Sequence, residues 1–480
     1  MIEFLRGNMA PLMFGGLILF MLYGYPAAFS LAAVGLFFGA ISIQLGLIAP
    51  DFLGNLTFQL HGVLSNDLLL AIPFFTLMGA VLERSGLAED LLEGFGQLFG
   101  GVRGGLSYAV ILVGAVLGAI TGTVAASVIA MGLISLPIMM KYGYSIRHAT
   151  GVIAASGTIT QLIPPSLVLV VLADQMGVDV GEMYKGAIGP SIVQVLLFMI
   201  WVAILSVVRP QDVPALPPEA RTLSGWPLIW RCVRGMVPSL ALIFIVLGTI
   251  FMGLATATEA GAMGVVGAFV LAWINGRLTW PLVYQGMQTT MRITAMVVFI
   301  LLGSRVFSLV FQGVGGKVWI ESFLTNLPGA QAGFLIFVNL FVFVIAFFLD
   351  FFEIAFIIVP LLVPAAKALG IDLIWLGVLL GANIQTSFMH PPFGFALFYL
   401  RGIAPPSVKS SDIYRGAIPW VFLQLILVGL LIFWPGMVTD FLDAPVKVDP
   451  NFQITVPDSG NTDLSAPPTI DLNQPPKISP

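Results

Sequence analysis

SGTITQLIPPS (residues 156–166) and NIQTSFMHPPFG (residues 383–394) are the two stretches whose reading decides how this chain folds. Each lies inside a long apolar run, and each places Ser, Thr, Asn or Gln side chains just ahead of a Pro-Pro pair. Proline removes a backbone donor and disfavours helix in the residue before it, so a helix must unwind just ahead of each pair. Unwound backbone at membrane depth is tolerated only inside protein or beside a wet cavity. The two stretches therefore predict broken membrane helices, over 149–173 and 371–400, that face an interior site.

The rest of the chain supports a lipid solvent. Of 480 residues, 58% are hydrophobic and 9% charged, with mean hydropathy +1.01, where soluble chains carry about 25% charged residues. The apolar runs are long and lack period-two alternation, which predicts a helical bundle and not a barrel. The net charge of −4 and the absence of a basic patch give no reason to expect nucleic acid. Cys232 is the only cysteine, which excludes an intrachain disulfide and a thiolate metal site. His61, His148 and His390 are scattered, and no HExxH, GxSxG or Walker lysine motif occurs, so the chain does not read as an enzyme. No cofactor is expected.

Crossing helices are predicted near 9–24, 26–47, 67–83, 149–173 and 187–208, and again near 236–253, 256–275, 292–312, 371–400 and 415–439. Residues 107–140 and 331–366 are too long for one span and are interrupted, at Thr121-Gly122-Thr123 and at Asp350-Phe351-Phe352-Glu353. Each predicts a re-entrant hairpin of two half-length helices. With both termini outside, 13 Lys and Arg fall in inner loops, 6 outside, and Arg305 within a span, as the positive-inside rule requires. That places the chain in a bacterial inner membrane with periplasmic ends. The stretch 209–227 (RPQDVPALPPEARTLSGWP) opens a cytoplasmic linker, taken as 209–235, and 441–480 reads as an acidic, Pro-rich periplasmic tail.

The halves, 1–208 and 236–440, match each other. Pro137, Gly143, Pro164 and Pro165 lie 227 positions before Pro364, Gly370, Pro391 and Pro392. Tyr184-Lys185-Gly186-Ala187-Ile188 recurs 230 positions later as Tyr414-Arg415-Gly416-Ala417-Ile418, and Gly24 and Gly35 match Gly253 and Gly264 at 229. Five crossings per half is odd, so the second repeat is inverted relative to the first. Inverted repeats with interrupted helices mark secondary transporters, whose sites form where the helices break.

The chemistry is expected at four polar breaks. Thr121, Gly122, Thr123 and Ser127 face Ser156, Gly157 and Thr158 in the first half. Asp350 faces Asn383, Gln385, Thr386 and Ser387 in the second. Freed carbonyls with Ser, Thr and Asn oxygens make an all-oxygen shell for a hard cation, here Na⁺. Two such sites would flank a central anion site at half-helix N-termini, with Thr160, Pro164, Arg305, Glu353 and Pro391 as substrate contacts. Arg305 is placed to bind a carboxylate or to pair with Asp350 or Glu353. The competing reading is that the hydroxyls bond their own helix carbonyls. Glu259 is read as a helix-start carboxylate and His390 as a packed residue at the break.

The runs 253–262 (GLATATEAGA), 156–166 (SGTITQLIPPS) and 391–394 (PPFG) resemble the large permease subunit of tripartite ATP-independent periplasmic (TRAP) transporters. The resemblance covers about residues 9–440. It implies an elevator-type fold of the ion-transporter superfamily and Na⁺-driven import of a small organic acid. It further implies two partners, a separate small four-helix membrane subunit and a periplasmic substrate-binding protein. The second hairpin tip departs from the family pattern, since Phe351, Phe352 and Glu353 stand where smaller neutral residues are expected. A stand-alone Na⁺/dicarboxylate symporter and a non-transporting membrane scaffold subunit are the alternatives.

Overall fold

The computed structural model describes residues 2–121, 124–221, 225–392 and 394–443. Those residues form helices joined by turns, with no strand among them. Eight of the helices are long and apolar enough to cross a membrane. They become nine if Pro50–Leu64 and Leu68–Arg84, bent by 44°, form one span. The chain is a multi-span membrane protein. Six of the expected ten crossings are among the eight; 67–83 counts only within the bent pair, three are shorter pieces, and the other two of the eight are Val124–Lys141 and Phe351–Ala368, expected as hairpin arms. Met9–Leu22 has 14 residues, and 149–173 and 371–400 are each broken in two.

The breaks fall where proline forces them. The first broken helix consists of Ile146–Thr158, a 3₁₀ turn at Ile159–Gln161, and Leu167–Met176. The second consists of Leu373–Ser387 and Phe395–Ile403. Between the pieces, Pro164-Pro165 and Pro391-Pro392 are both cis. The two interrupted runs are Gly105–Thr121 followed by Val124–Lys141, and Gln331–Ile345 followed by Phe351–Ala368. Both second arms end at glycines with positive φ, Gly143 (79°) and Gly370 (68°), which release the chain at no steric cost. Helix boundaries recur at similar offsets, as with Ala27–Gln44 against Ala257–Ile274 (230 apart) and Ile146 against Leu373 (227 apart).

Long spans sort their faces by solvent. Val180–Val208 buries Ser191, Gln194, Phe198 and Val202, while Ile192, Leu196, Ile200 and Ile204 point out at i, i+4 spacing. That exposed stripe is wholly apolar.

Two apolar clusters hold the molecule, and each takes one piece from each broken helix. Ala149, Val152 and Ile153 share a cluster with Ala396, Leu397 and Leu400. Leu167, Leu169 and Val171 share the other with Leu376, Val378 and Leu379. The broken helices thus run across each other.

Two features of the chain differ from the sequence-based expectation. Shorter helices at Asn55–Leu64, Leu87–Phe99 and Gly316–Thr325 join the spans. The stretch after Arg209 is no free linker: Val213 and Leu216 are buried, Gly104 N–H donates to Val213 O (2.9 Å), and Leu216 N–H donates to Gly100 O (2.8 Å). A helix begins again at Trp226 and not at 236, because Pro227 suits the first helical turn. The tail beyond Asp443 lies outside the described residues.

Candidate functional site

The two broken helices meet at Thr158. Its hydroxyl donates to Ala155 O (2.8 Å) in its own helix, so its lone pairs are left to accept. Gln424 Nε2 donates to it at 2.9 Å and Gln385 Nε2 at 3.5 Å. Thr158 and Gln385 occupy equivalent places, 227 positions apart. All three side chains are buried.

Two residues before Thr158, and two before Gln385, sits an oxygen without a partner. Ser156 Oγ and Asn383 Oδ1 are both buried and accept or donate no hydrogen bond among the described residues. They too lie 227 positions apart. The first is reached by glycine: a Cβ on Gly114 would stand 2.7 Å from Ser156 Cβ, and one on Gly118 would stand 2.9 Å from Thr160 Cα. On the opposite side, Gly157 presses against Val128 of the second hairpin arm. The second is reached by an amide: Asn383 Nδ2 donates to Asn339 O (2.7 Å) and Asn339 Oδ1 (3.0 Å). Orphaned buried oxygens cost about 1–3 kcal/mol each, so a guest that coordinates them is stabilising.

Other expected cation ligands fall into two groups. Thr158 and Thr386 hydroxyls bond their own helix carbonyls, the latter to Asn383 O at 2.7 Å. Ser127, Ser387 and the Gln385 side chain are buried, with Gln385 Oε1 unpartnered. Gly122, Thr123 and the side chain of Thr121 lie outside the described residues.

Beside the crossing lies a cavity of about 380 Å³. Four helix starts contribute to its wall: Val124 and Ala125, Leu167 and Val168, Phe351 and Phe352, and Phe395. Helix N-termini present unsatisfied N–H groups and a positive end to whatever occupies such a space. Asp350, Gln161, Phe388 and Tyr399 also line it, and Ile293 and Met296 close it from the long helix Trp280–Gly313.

None of the expected substrate contacts Thr160, Pro164, Arg305, Glu353 and Pro391 lines this cavity. Thr160 donates to Gly157 O (3.1 Å), and Pro164 is buried in the turn. Pro391 is part of the second cis pair. Arg305 lies nine residues beyond Met296 on one helix, about 14 Å along its axis. Among the described residues it makes no ion pair with Asp350 or Glu353. Those two carboxylates form a capping box. Glu353 N–H donates to Asp350 Oδ1 (2.8 Å) and Asp350 N–H to Glu353 Oε2 (3.0 Å). Glu259 makes the same motif with Thr256. His390 packs against Phe343 and Phe347, with ring centroids 4.3 and 4.2 Å away.

Asn339, Gln194 and Gln424 are buried polar residues that motif reading passed over, while Gln161, inside the 156–166 run, lines the cavity. Gln194 is fully buried with neither end of its amide partnered. Its position repeats that of Gln424 at 230 residues, and that offset was the available signal.

Comparison with known proteins places this architecture. Residues 14–437 match the family described as tripartite ATP-independent periplasmic transporter, DctM component. A C4-dicarboxylate TRAP transporter large permease protein of Pseudomonas aeruginosa is 30% identical over 83% of this chain and 91% of its own length. An ectoine TRAP transporter large permease protein of Halomonas elongata is 28% identical over 89% and 97%. A 2,3-diketo-L-gulonate TRAP transporter large permease protein of Escherichia coli is 25% identical over 77% and 85%. Among solved structures, the Alcanivorax borkumensis YdaH transporter shares the fold with TM-score 0.61 at 16% identity, covering 83% of this chain and 91% of that one.

Proposed function

The chain belongs to the DctM-component family of tripartite ATP-independent periplasmic transporters, and from that premise we propose that it imports a small organic acid by Na⁺-coupled alternating access. The observation that carries the reading is the convergence of four helix starts on one 380 Å³ cavity beside two orphaned oxygens at equivalent positions. Helix starts favour an anion, and neutral oxygens suit a hard monovalent cation. The relatives named for C4-dicarboxylate and 2,3-diketo-L-gulonate act on carboxylates.

The substrate sits in the cavity, and Na⁺ ions sit at Ser156 and Asn383. Ordering those residues around Na⁺ stiffens the break of each helix and fixes the helix starts that hold the anion, which couples ion to substrate. The contact between equivalent positions Thr158 and Gln385 supports two inverted repeats, since mates touch only near a two-fold axis. The hairpins and broken helices then move as one body against the long spans, in an elevator motion. A small membrane subunit and a periplasmic binding protein complete the transporter in the bacterial inner membrane, with both termini periplasmic.

The test is uptake into proteoliposomes holding the chain and its small subunit, with the binding protein outside. Uptake that requires both an inward Na⁺ gradient and the binding protein supports the whole reading. Uptake with Na⁺ but no binding protein removes the tripartite part, and uptake indifferent to replacing Na⁺ by K⁺ removes the coupling.

A further inference from the structure

We propose that the substrate is a zwitterion: it carries a cationic nitrogen as well as its carboxylate, and the cavity wall around Asp350 holds that nitrogen. This rests on the reading of the cavity as the substrate site and names the class of acid it takes.

The one charge in the wall is negative. Among the described residues Asp350 is the sole charged residue lining the cavity, with no Lys, Arg or His beside it. No described residue makes an ion pair with it. The Na⁺ ions of the proposed cycle sit at Ser156 and Asn383, neither of which lines this wall, so Asp350 is left without a cation. Its Oδ1 accepts from Glu353 N–H (2.8 Å). Capping of that kind needs no charge, since amide and hydroxyl oxygens cap helices equally well. A carboxylate in a partly enclosed space is stabilised by a positive occupant and repels a purely anionic one.

The rest of the wall has the same preference. Phe351 and Phe352, with ring centroids 5.0 Å apart, line it from the start of Phe351–Ala368. Phe388 and Phe395, 6.0 Å apart, line it from the second helix break, and Tyr399 follows one turn after Phe395. Aromatic faces are the negative part of the ring quadrupole, and sites walled by several rings recognise organic cations. Gln161 is 2% exposed and keeps Oε1 unpartnered. That oxygen is an acceptor, so it serves an N–H or another positive dipole end and not a carboxylate.

The helix starts supply the opposite sign, but weakly. Each carries about half a positive charge. Three of the four have first-turn amides already bonded: Glu353 N–H to Asp350 Oδ1 (2.8 Å), Val168 N–H to Ser166 Oγ (3.2 Å) and Ala396 N–H to Phe388 O (3.0 Å). A substrate with only negative charge would draw on these diffuse dipoles while facing a full negative charge at Asp350. A zwitterion removes the conflict, because it brings its own cation to Asp350 and the rings while its carboxylate keeps the helix-start field.

Glycine betaine and 3,3-dimethylbutyrate test this directly, since they share one shape and one carboxylate and differ by a quaternary nitrogen in place of a carbon. Binding of each, and of succinate, to the purified full-length chain in lipid nanodiscs is measured by calorimetry with and without Na⁺. Glycine betaine is expected to bind about tenfold more tightly than its neutral-headed isostere, with succinate weaker still. D350N keeps an oxygen for Glu353 N–H but loses the charge, so it should remove most of that preference. F352L, which leaves the capping box whole, should remove part of it and serves alone if D350N does not fold. Equal binding of the isosteric pair, or a preference left intact by the folded variants, overturns the inference. Na⁺-dependent binding of succinate or dimethylbutyrate in place of glycine betaine overturns it while leaving the organic-acid site standing. Na⁺-independent binding of glycine betaine supports it but removes the coupling, and no binding of any of the three overturns inference and substrate site together.

Discussion

The two helix breaks reach nearly the same geometry by different chemistry. In the first half the hairpin arm lies directly on the break, backbone against backbone, through Gly114 and Gly118. In the second half the contact is made by an amide, with Asn383 held by Asn339. The first solution leaves the Ser156 hydroxyl unbonded. The second spends the nitrogen of Asn383 on structure and leaves only its oxygen over. A close-packed contact fails through volume and an amide link fails through lost hydrogen bonds, so the halves should respond to substitution in different ways.

The largest effect is expected at the glycine contact. Even alanine at Gly114 puts its Cβ 2.7 Å from Ser156 Cβ and 2.8 Å from Ser156 O. G114A should cost about 1–3 kcal/mol, and G114L should leave no folded protein on gel filtration. Next, N383L leaves two acceptors of Asn339 without their donor, costing about 1–3 kcal/mol in detergent melts. T158V should follow, since it strands the amides of Gln385 and Gln424, at about 1–2 kcal/mol. S156A is the sharpest contrast with N383L. It removes an unbonded hydroxyl, so it should shift the melt little while losing part of the stabilisation by Na⁺. The smallest change belongs to the surface pair of Arg147 and Asp412, 3.0 Å apart with Arg147 54% exposed. R147A should cost less than about 1 kcal/mol.

Sequence reading located the breaks to within a few residues because Pro-Pro has a local, mechanical effect. The same holds for Glu259 and for His390, whose neighbours Thr256 and Pro391 define their setting. It failed where the signal is not local. Leu87–Phe99 and Gly316–Thr325 are too short and too polar to read as spans. The segment after Arg209 has the composition of a loop, and only the buried Val213 and Leu216 reveal that it is docked. A lone amide in an apolar run, such as Asn339 or Gln194, gives no pattern until its partner across the fold is seen. Arg305 is the opposite case: an intramembrane arginine invites a role at the site, and its helix places it beyond the residues that line the cavity.

The measurement closest to the central claim is Na⁺-dependent thermal stabilisation of the purified chain, compared across wild type, S156A, N383A and the double variant. Two equivalent Na⁺ sites predict that each single variant loses part of the stabilisation and the double variant loses it all, with K⁺ ineffective throughout. Full Na⁺ stabilisation retained in the double variant would contradict the assignment of the ion to the two helix breaks.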